Sequence, residues 1–474
     1  MTRQQPPTST AGLAVAGGTS RPRDGAPRRA VRRASVVTAV GGILFGYDTG
    51  VIAGALTFIA KDFHLGSFMK STVTAVLLLG AMLGAMIAGR LADLVGRRTT
   101  VLITAITAAV GVLGSIFTPD TFVLIVARII LGLAVGSASV VVPLYIGEIA
   151  PPAVRGRLVS LNQLAITVGI LAAGLVDYFL ATTANWRLMI GFALVPAILL
   201  GLGTLTTPES PHWLLRRNRP EEARAVLQRL REPGEVDAEL AEVEETARAT
   251  ASFSEVFSAR VRPALLVGVA LAAIQQVTGI NTVIYYAPTL LENAGVGTHA
   301  ALLGTVLIGV INVALTVVSL RLLDRTGRRP LLLGGTAGMI VGLVVLGSCF
   351  AATGDLHGTV LYVALAALMF YVGSFAIGLG PVFWLLIAEI YPLRVRGQAI
   401  GVATFVNWLA NFAVAETYLS LLDNLGKAQT FYLYAGITVF SLVFLWRRVP
   451  ETKGRPLAAI ERDLGSAPTE ARAA

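Results

Sequence analysis

Apolar residues along this chain come in blocks of about 20, the length a helix needs to cross a hydrocarbon layer of roughly 30 Å. Ser71–Gly89, Val101–Phe117, Val261–Ala287 and Leu331–Ala352 are clear cases. About a dozen such blocks follow one another, so the pattern predicts an all-α membrane protein with twelve transmembrane helices. Two charges interrupt it. Asp48 lies in the middle of GGILFGYDTGVIAGAL (Gly41–Leu56), and Arg128 lies in the fourth block, Phe122–Val142.

The composition agrees with the pattern. With 55% hydrophobic and 14% charged residues over 474 positions, the chain is too apolar for a soluble protein of its length. Its formal net charge of +10 raises the question of nucleic acid, and the placement of the basic residues answers it. They fall in alternate connections: Arg90, Arg97 and Arg98 after the second span, Arg155 and Arg157 after the fourth, Arg216, Arg217 and Arg219 after the sixth. Arg325, Arg328 and Arg329 follow the eighth, Arg394 and Arg396 the tenth, Arg447 and Arg448 the twelfth, while the intervening connections hold only Lys61, Lys70, Arg187 and Lys427. This positive-inside pattern puts both termini in the cytoplasm and turns the excess charge toward anionic headgroups, not nucleic acid. The single Cys349 excludes internal disulfides, and no Cys/His cluster offers a metal site; no cofactor is expected.

Three connections repeat. DLVGRR (Asp93–Arg98) returns as DRTGRR (Asp324–Arg329), EIAPPAVRG (Glu148–Gly156) as EIYPLRVRG (Glu389–Gly397), and PESP (Pro208–Pro211) as PETKG (Pro450–Gly454). Their offsets are nearly equal, so six spans have been duplicated. The division predicted is a disordered tail over 1–35, a six-helix bundle over 36–207, a cytoplasmic helical linker over 208–260, a second bundle over 261–449 and a cytoplasmic tail over 450–474. The first tail has basic residues ahead of an apolar run, as a signal peptide would, but that run contains Asp48 and the other spans fit a cytoplasmic N-terminus. Repeated halves with a site between them are how many secondary transporters achieve alternating access. The acid–base motifs at the inner ends then read as a latch: Glu148 with Arg155, and Glu389 with Arg396, each seven apart, could reach partners in the neighbouring loop when the cavity opens outward.

The sequence resembles the sugar porter branch of the major facilitator superfamily. The motifs are GRLADLVGRR (Gly89–Arg98), PESPHWLL (Pro208–Leu215), QQVTGINTVIYYAP (Gln275–Pro288), DRTGRRP (Asp324–Pro330), GPVFWLLIAEIYPLRVRG (Gly380–Gly397) and PETKGRPL (Pro450–Leu457), and they cover nearly all of the chain except its tails. Two departures, His212 for the usual Arg and Thr278 for a frequent Ser, leave the resemblance intact. It implies the major facilitator fold, two pseudo-symmetric six-helix bundles with both termini inside. It also implies an inner network of Arg90, Asp93, Arg97, Glu148, Arg155, Glu209, Asp324, Arg328, Glu389, Arg396 and Glu451.

A sugar presents neighbouring hydroxyls that each donate and accept, and a primary amide answers both roles with one rigid group. Amides inside the spans are Gln163 in the fifth, Gln275, Gln276 and Asn281 in the seventh, Asn312 in the eighth, and Asn407 and Asn411 in the eleventh. Gln276 and Asn281 share a cavity if Gly279 breaks the helix between them. By the same reasoning Gly378–Pro381 should loosen the tenth span before Trp384, whose indole could close over a ring. The resemblance implies the same substrate contacts, Gln163, Gln275, Gln276, Asn281 and Trp384, with Asn312 and Asn407 as frequent ones and Phe45 and Tyr285 as aromatic liners. Ile170, seven after Gln163, stands where some pentose-accepting relatives carry a second Gln, which fits a hexose slightly better.

A carboxylate inside a membrane helix costs about 2.5–3.5 kcal/mol on insertion scales, so something must offset Asp48 or use it. Arg128 is the expected partner, and protonating Asp48 would break the pair and release Arg128. The resemblance implies that Asp in GYD marks proton symporters. Glu416 and Asp177, toward the outer ends, read as interfacial. Together these readings describe a monomeric, proton-driven importer of a monosaccharide, a hexose such as glucose or else a pentose, working in the cytoplasmic (inner) membrane with sugar, proton and lipid bilayer as its partners and no covalent chemistry. An uncoupled uniporter, a polyol symporter and a sugar receptor that does not transport are the rivals.

Overall fold

Lipid offers no hydrogen bonds, so each spanning segment must satisfy its backbone internally, and helices do that within one segment. The computed structural model describes residues 26–231, 234–241, 253–292, 295–354, 356, 358–392 and 394–464. Among them twelve helical spans are long and apolar enough to cross a membrane: Ala39–Asp62, Ser67–Val95, Arg97–Ile116, Thr121–Ile149, Leu161–Thr183 and Trp186–Leu205 in the first half, and Arg262–Glu292, Thr298–Leu323, Arg328–Thr353, Gly358–Glu389, Arg396–Leu425 and Lys427–Arg448 in the second. The basic inner ends set the orientation.

The first helix begins at Ala26, ten residues inside the segment expected to lack structure. Its sequence APRRAVRRA is rich in Ala and Arg, strong helix formers that extend the span backward; residues 1–25 lie outside the described residues. The linker carries short helices at Pro211–Arg216 and Pro220–Leu230, and the last described segment one at Leu457–Asp463. Pro220–Leu230 docks on the first half: Leu230 packs on Tyr145 and Ile149, and Arg231 donates to the carbonyl of Ile149 at 2.9 Å, satisfying a helix-end acceptor.

Within each half the spans pack as the duplication requires, the second along the fourth and the first along the fifth. Between halves the second span meets the eleventh and the fifth meets the eighth. Among the described residues, side-chain hydrogen bonds from Thr57 to Glu292 at 3.1 Å and from Thr72 to Glu416 at 2.9 Å join the halves at the outer end. The crevices left beside them hold about 90 and 150 Å³, small against the roughly 300–1,000 Å³ of small-molecule sites. Neither crevice has room for a typical small molecule.

Candidate functional site

Helix breaks position the amides. The seventh span is two helices, Arg262–Val277 and Ile280–Glu292, separated at Gly279, whose φ of +87° is the left-handed conformation that glycine adopts without strain. The tenth is likewise Gly358–Ile377 and Leu379–Glu389, parted at Gly378. Ser319 takes up a freed carbonyl there by donating to Ile377 O at 2.8 Å. Both breaks stand where the glycines predict them.

Across the first break four amides form one hydrogen-bonded group. Asn281 donates to Gln276 Oε1 at 2.7 Å, Gln276 donates to Asn407 Oδ1 at 3.1 Å and to Gln275 Oε1 at 3.3 Å, and Asn407 donates to Gln275 Oε1 at 2.7 Å. Backbone carbonyls hold the group in place, Ala272 O accepting from Asn407 at 3.0 Å and Leu379 O from Gln275 at 3.2 Å, so the tenth-span break and the amides are one construction. Asn411 donates to the Tyr285 hydroxyl at 3.3 Å. Gln163, half-buried, and Asn312, buried, exchange no hydrogen bond with the four-amide group.

Phe45 meets the Trp408 ring at 5.4 Å between centroids, an aromatic contact from the first half to the second. Trp384 packs on Phe383 at 4.8 Å and is half-buried. Sequence reasoning missed Trp408. The signal in the sequence was an aromatic residue directly after Asn407 in the same span. The indole nitrogen of Trp408 is buried without a partner.

The expected ion pair of Asp48 and Arg128 is not formed. Both residues are 1% exposed, yet both carboxylate oxygens of Asp48 are without hydrogen-bond partners. Arg128 turns its Nε to Val73 O of the second span at 2.6 Å, and its Nη1 is unpartnered. The two groups still interact through space, and Tyr285 lies within electrostatic reach of both. Helical spacing placed the residues at compatible depths but could not say that the guanidinium would find a carbonyl on its own side first.

Asp177, expected to be served by water toward the outer end, is instead 1% exposed and accepts the N–H of Gly54 at 3.1 Å. Glu416 is half-buried, with Thr72 on one oxygen and the other buried without a partner.

The inner motifs form two matching clusters, each within one half. Arg97 bonds Glu148 through Nε at 2.8 Å and Nη2 at 3.0 Å, and reaches Asp93 at 2.9 Å. Glu209 accepts the backbone N–H groups of Arg97, Arg98 and Ser210 at 2.8–3.0 Å, capping the third span, and Ser210 donates to Glu148. In the second half Arg328 bonds Glu389 at 2.9 and 3.3 Å, Glu451 accepts the N–H groups of Arg328, Arg329, Thr452 and Lys453 at 2.9–3.0 Å, and Thr452 donates to Glu389. Burial raises the Glu451 carboxyl, but these four N–H donors together outweigh it and hold the group below the usual glutamate range. The glycine of each repeated motif is required here: Gly96 and Gly327 have φ of +99° and +96°, and a side chain on either would strike the capping glutamate. Arg396 donates to Tyr391 O at 3.2 Å, and Arg90 is exposed; the side chains of Arg155 and Asp324 lie outside the described residues. Among the described residues the clusters brace the loops of each half, and the bonds from Thr57 to Glu292 and from Thr72 to Glu416 that cross between the halves are at the opposite, outer end.

The family described as sugar (and other) transporter matches residues 34–464. The D-xylose transporter of Levilactobacillus brevis is 42% identical over 430 residues, covering 90% of this chain and 94% of the relative. The galactose-proton symporter of Escherichia coli K12 is 42% identical over 434 residues, covering 90% and 93%. Among solved structures, the partially occluded inward-open conformation of the xylose transporter XylE from E. coli superposes with a TM-score of 0.80 at 33% identity, covering 90% of this chain and 100% of that one.

Proposed function

The chain belongs to the sugar porter family of the major facilitator superfamily, and from that premise we propose that it imports a monosaccharide together with a proton across the cytoplasmic membrane, as a monomer, by alternating access. The observation that carries the reading is the four-amide group set one helical turn from a tyrosine that faces a buried carboxylate without hydrogen bonds. Tyr285 follows Asn281 of that group by four residues in the same helix, accepts from Asn411 and interacts with Asp48 and Arg128, which supports sugar and proton acting on neighbouring side chains. A xylose transporter and a galactose-proton symporter among the relatives support a hexose or pentose as the substrate; a hexose such as glucose is our choice.

The amides now saturate one another. A sugar entering the cavity exchanges amide–amide bonds for amide–hydroxyl bonds, which lets Asn281 and Asn407 pull on the two halves of the broken seventh span and on the eleventh. The proton acts through cost. An ionised Asp48 in the arrangement observed bears the penalty of about 2.5–3.5 kcal/mol with no hydrogen bond to offset it, so this arrangement accommodates the loaded acid. Losing the proton makes Arg128 the nearest compensating charge and requires the first span to shift against the second and fourth. Sugar and proton thus favour one rearrangement, which is the condition for coupling. A membrane potential supplies about 2.3 kcal/mol per charge per 100 mV.

The test is uptake of labelled glucose and xylose by the purified protein in liposomes, with and without an inward proton gradient, comparing wild type with Asp48→Asn. Gradient-driven accumulation by the wild type, with the variant limited to equilibration and exchange, is the expected result. Equal behaviour of the two proteins, each merely equilibrating, refutes proton coupling and leaves a uniporter.

A further inference from the structure

Asp177 has no place in the cycle just described, yet it is a carboxylate 1% exposed inside the membrane. Its Oδ2 accepts the Gly54 N–H at 3.1 Å, and its Oδ1 is buried without a partner. The first span builds the site. Gly46, Gly50 and Gly54 recur every four residues and leave one face of that helix bare, and the fifth span packs into it. A Cβ on Gly54 would lie 2.5 Å from Asp177 Cβ and 2.6 Å from Oδ2, so the missing side chain is the notch that holds the carboxyl.

Position gives the group its meaning. The fifth helix runs outward and ends at Leu180, three residues beyond Asp177. Gly54 is six residues outward of Asp48 on the first span, about 9 Å along the axis. Asp177 therefore stands between the outer water and Asp48. The titratable side chain that interacts with it through space is Tyr47 on the first span; Tyr178 follows it on its own helix, with His299 of the eighth span stacked on that tyrosine at 4.3 Å, and Asp48 lies further inward on the first span. Tyr47 shares a helix face with Gly54 and interacts through space with both carboxyls, but its hydroxyl donates to Met189 O at 2.7 Å.

We propose that Asp177 is a second proton-binding site, the outer station from which Asp48 is loaded. A proton from outside water binds the Asp177 carboxylate. It then passes through water to the Asp48 carboxylate, the O–H bond on Asp177 breaking as that on Asp48 forms, which returns Asp177 to its ionised state. Ionisable residues inside membranes commonly serve such relays. Asp177 holds a proton outward of the coupling acid without touching the sugar, so it governs how fast protons arrive and not whether sugar binds.

The inference rests on the proton-coupled reading above, and the experiment separates the two. Asp177→Asn keeps the shape of the acid and an acceptor for Gly54 but removes the exchangeable proton. In liposomes, exchange of labelled sugar for unlabelled needs no net proton movement and should proceed at the wild-type rate. Gradient-driven uptake near neutral outside pH should fall by about tenfold or more, since a positioned proton-transfer group is worth about 10² to 10⁴ where proton movement limits the rate, and should recover as the outside is acidified. A wild-type rate and pH profile overturns the proposal, as does loss of exchange in parallel with driven uptake, which marks a helix-packing role. If the variant does not fold, infrared spectra of Asp48→Asn carrying 13C-labelled aspartate decide, since Asp177 is then the buried aspartate left among the described residues: an isotope-shifted carboxylic C=O band that titrates with pH and shifts in D2O is expected, and its absence overturns the proposal. Accumulation by Asp48→Asn defeats the coupling reading itself, a result distinct from any of these.

Discussion

The outer closure depends on two threonine hydroxyls, and replacing both with valine should open it. Thr57 donates to Glu292 Oε2 at 3.1 Å, and Thr72 to Glu416 Oε1 at 2.9 Å, each linking one half to the other. The other oxygen of each glutamate is buried and already without a partner, so these donors are the bonds that the closed state offers the two acids. They are not of equal worth. A hydroxyl has one proton, and that of Thr72 has a second acceptor in Phe68 O at 3.1 Å, so breaking its bond to Glu416 loses little. Hydrogen bonds to charged groups contribute about 1.5–3 kcal/mol and neutral ones about 0.5–1.5 kcal/mol. Taking about 1.5 kcal/mol for Thr57 at this watery edge and about 0.5 kcal/mol for Thr72, the double variant loses about 2 kcal/mol of outer closure, a shift of roughly 30-fold toward the outward-open state. A population of about 97:3 would become nearly even. Spin labels at exposed Thr183 and Asn424, with Cys349 replaced by serine, report the outer separation by pulsed electron resonance. Thr57→Val with Thr72→Val should move weight into the longer distance and strengthen sugar binding from outside. An unchanged distance distribution would refute the closure reasoning.

Two further outcomes follow from other parts of the molecule. Asn407→Leu removes the amide that joins Gln275, Gln276 and the Ala272 carbonyl; at about 1–3 kcal/mol for a polar group left unmatched, sugar affinity read by tryptophan fluorescence should fall about 5- to 160-fold, and an unaltered affinity removes the amide group from the binding site. The Glu451 carboxyl is held below its ordinary range by four backbone donors that outweigh its burial. Its contribution to folding is therefore complete above the ordinary glutamate pKa and is lost as pH falls through the lowered value. Thermal unfolding in detergent should show the wild type losing stability over that acid window and Glu451→Gln lacking that component, and parallel curves for the two proteins contradict the cap assignment.

Sequence reasoning did well where the physics is local or periodic. Twelve apolar blocks are a statement about lipid thickness, and arginines in alternate loops are a statement about insertion; neither depends on how helices meet. The breaks at Gly279 and Gly378 were also readable, because a glycine beside a polar cluster inside a span has few other uses. The repeated DxxGRR, EI and PE motifs marked the parts of the inner clusters, and their duplication predicted that Arg97 and Arg328 would hold equivalent places, as their bonds to Glu148 and Glu389 show.

What the sequence alone determined is thus the number, polarity and duplication of the spans and the residue types that line them. Only the tertiary structure decided which polar atoms touch. Arg128 bonds Val73 O and leaves Asp48 bare, Asp177 sits in the Gly54 notch, and the glutamate–arginine clusters brace each half while Thr57 and Thr72 hold the halves together outside. The reason is geometric. Periodicity gives a side chain's depth and face to within part of a turn, whereas a hydrogen bond is made or lost over less than an ångström, and that last ångström is set by how neighbouring helices rotate and tilt against one another.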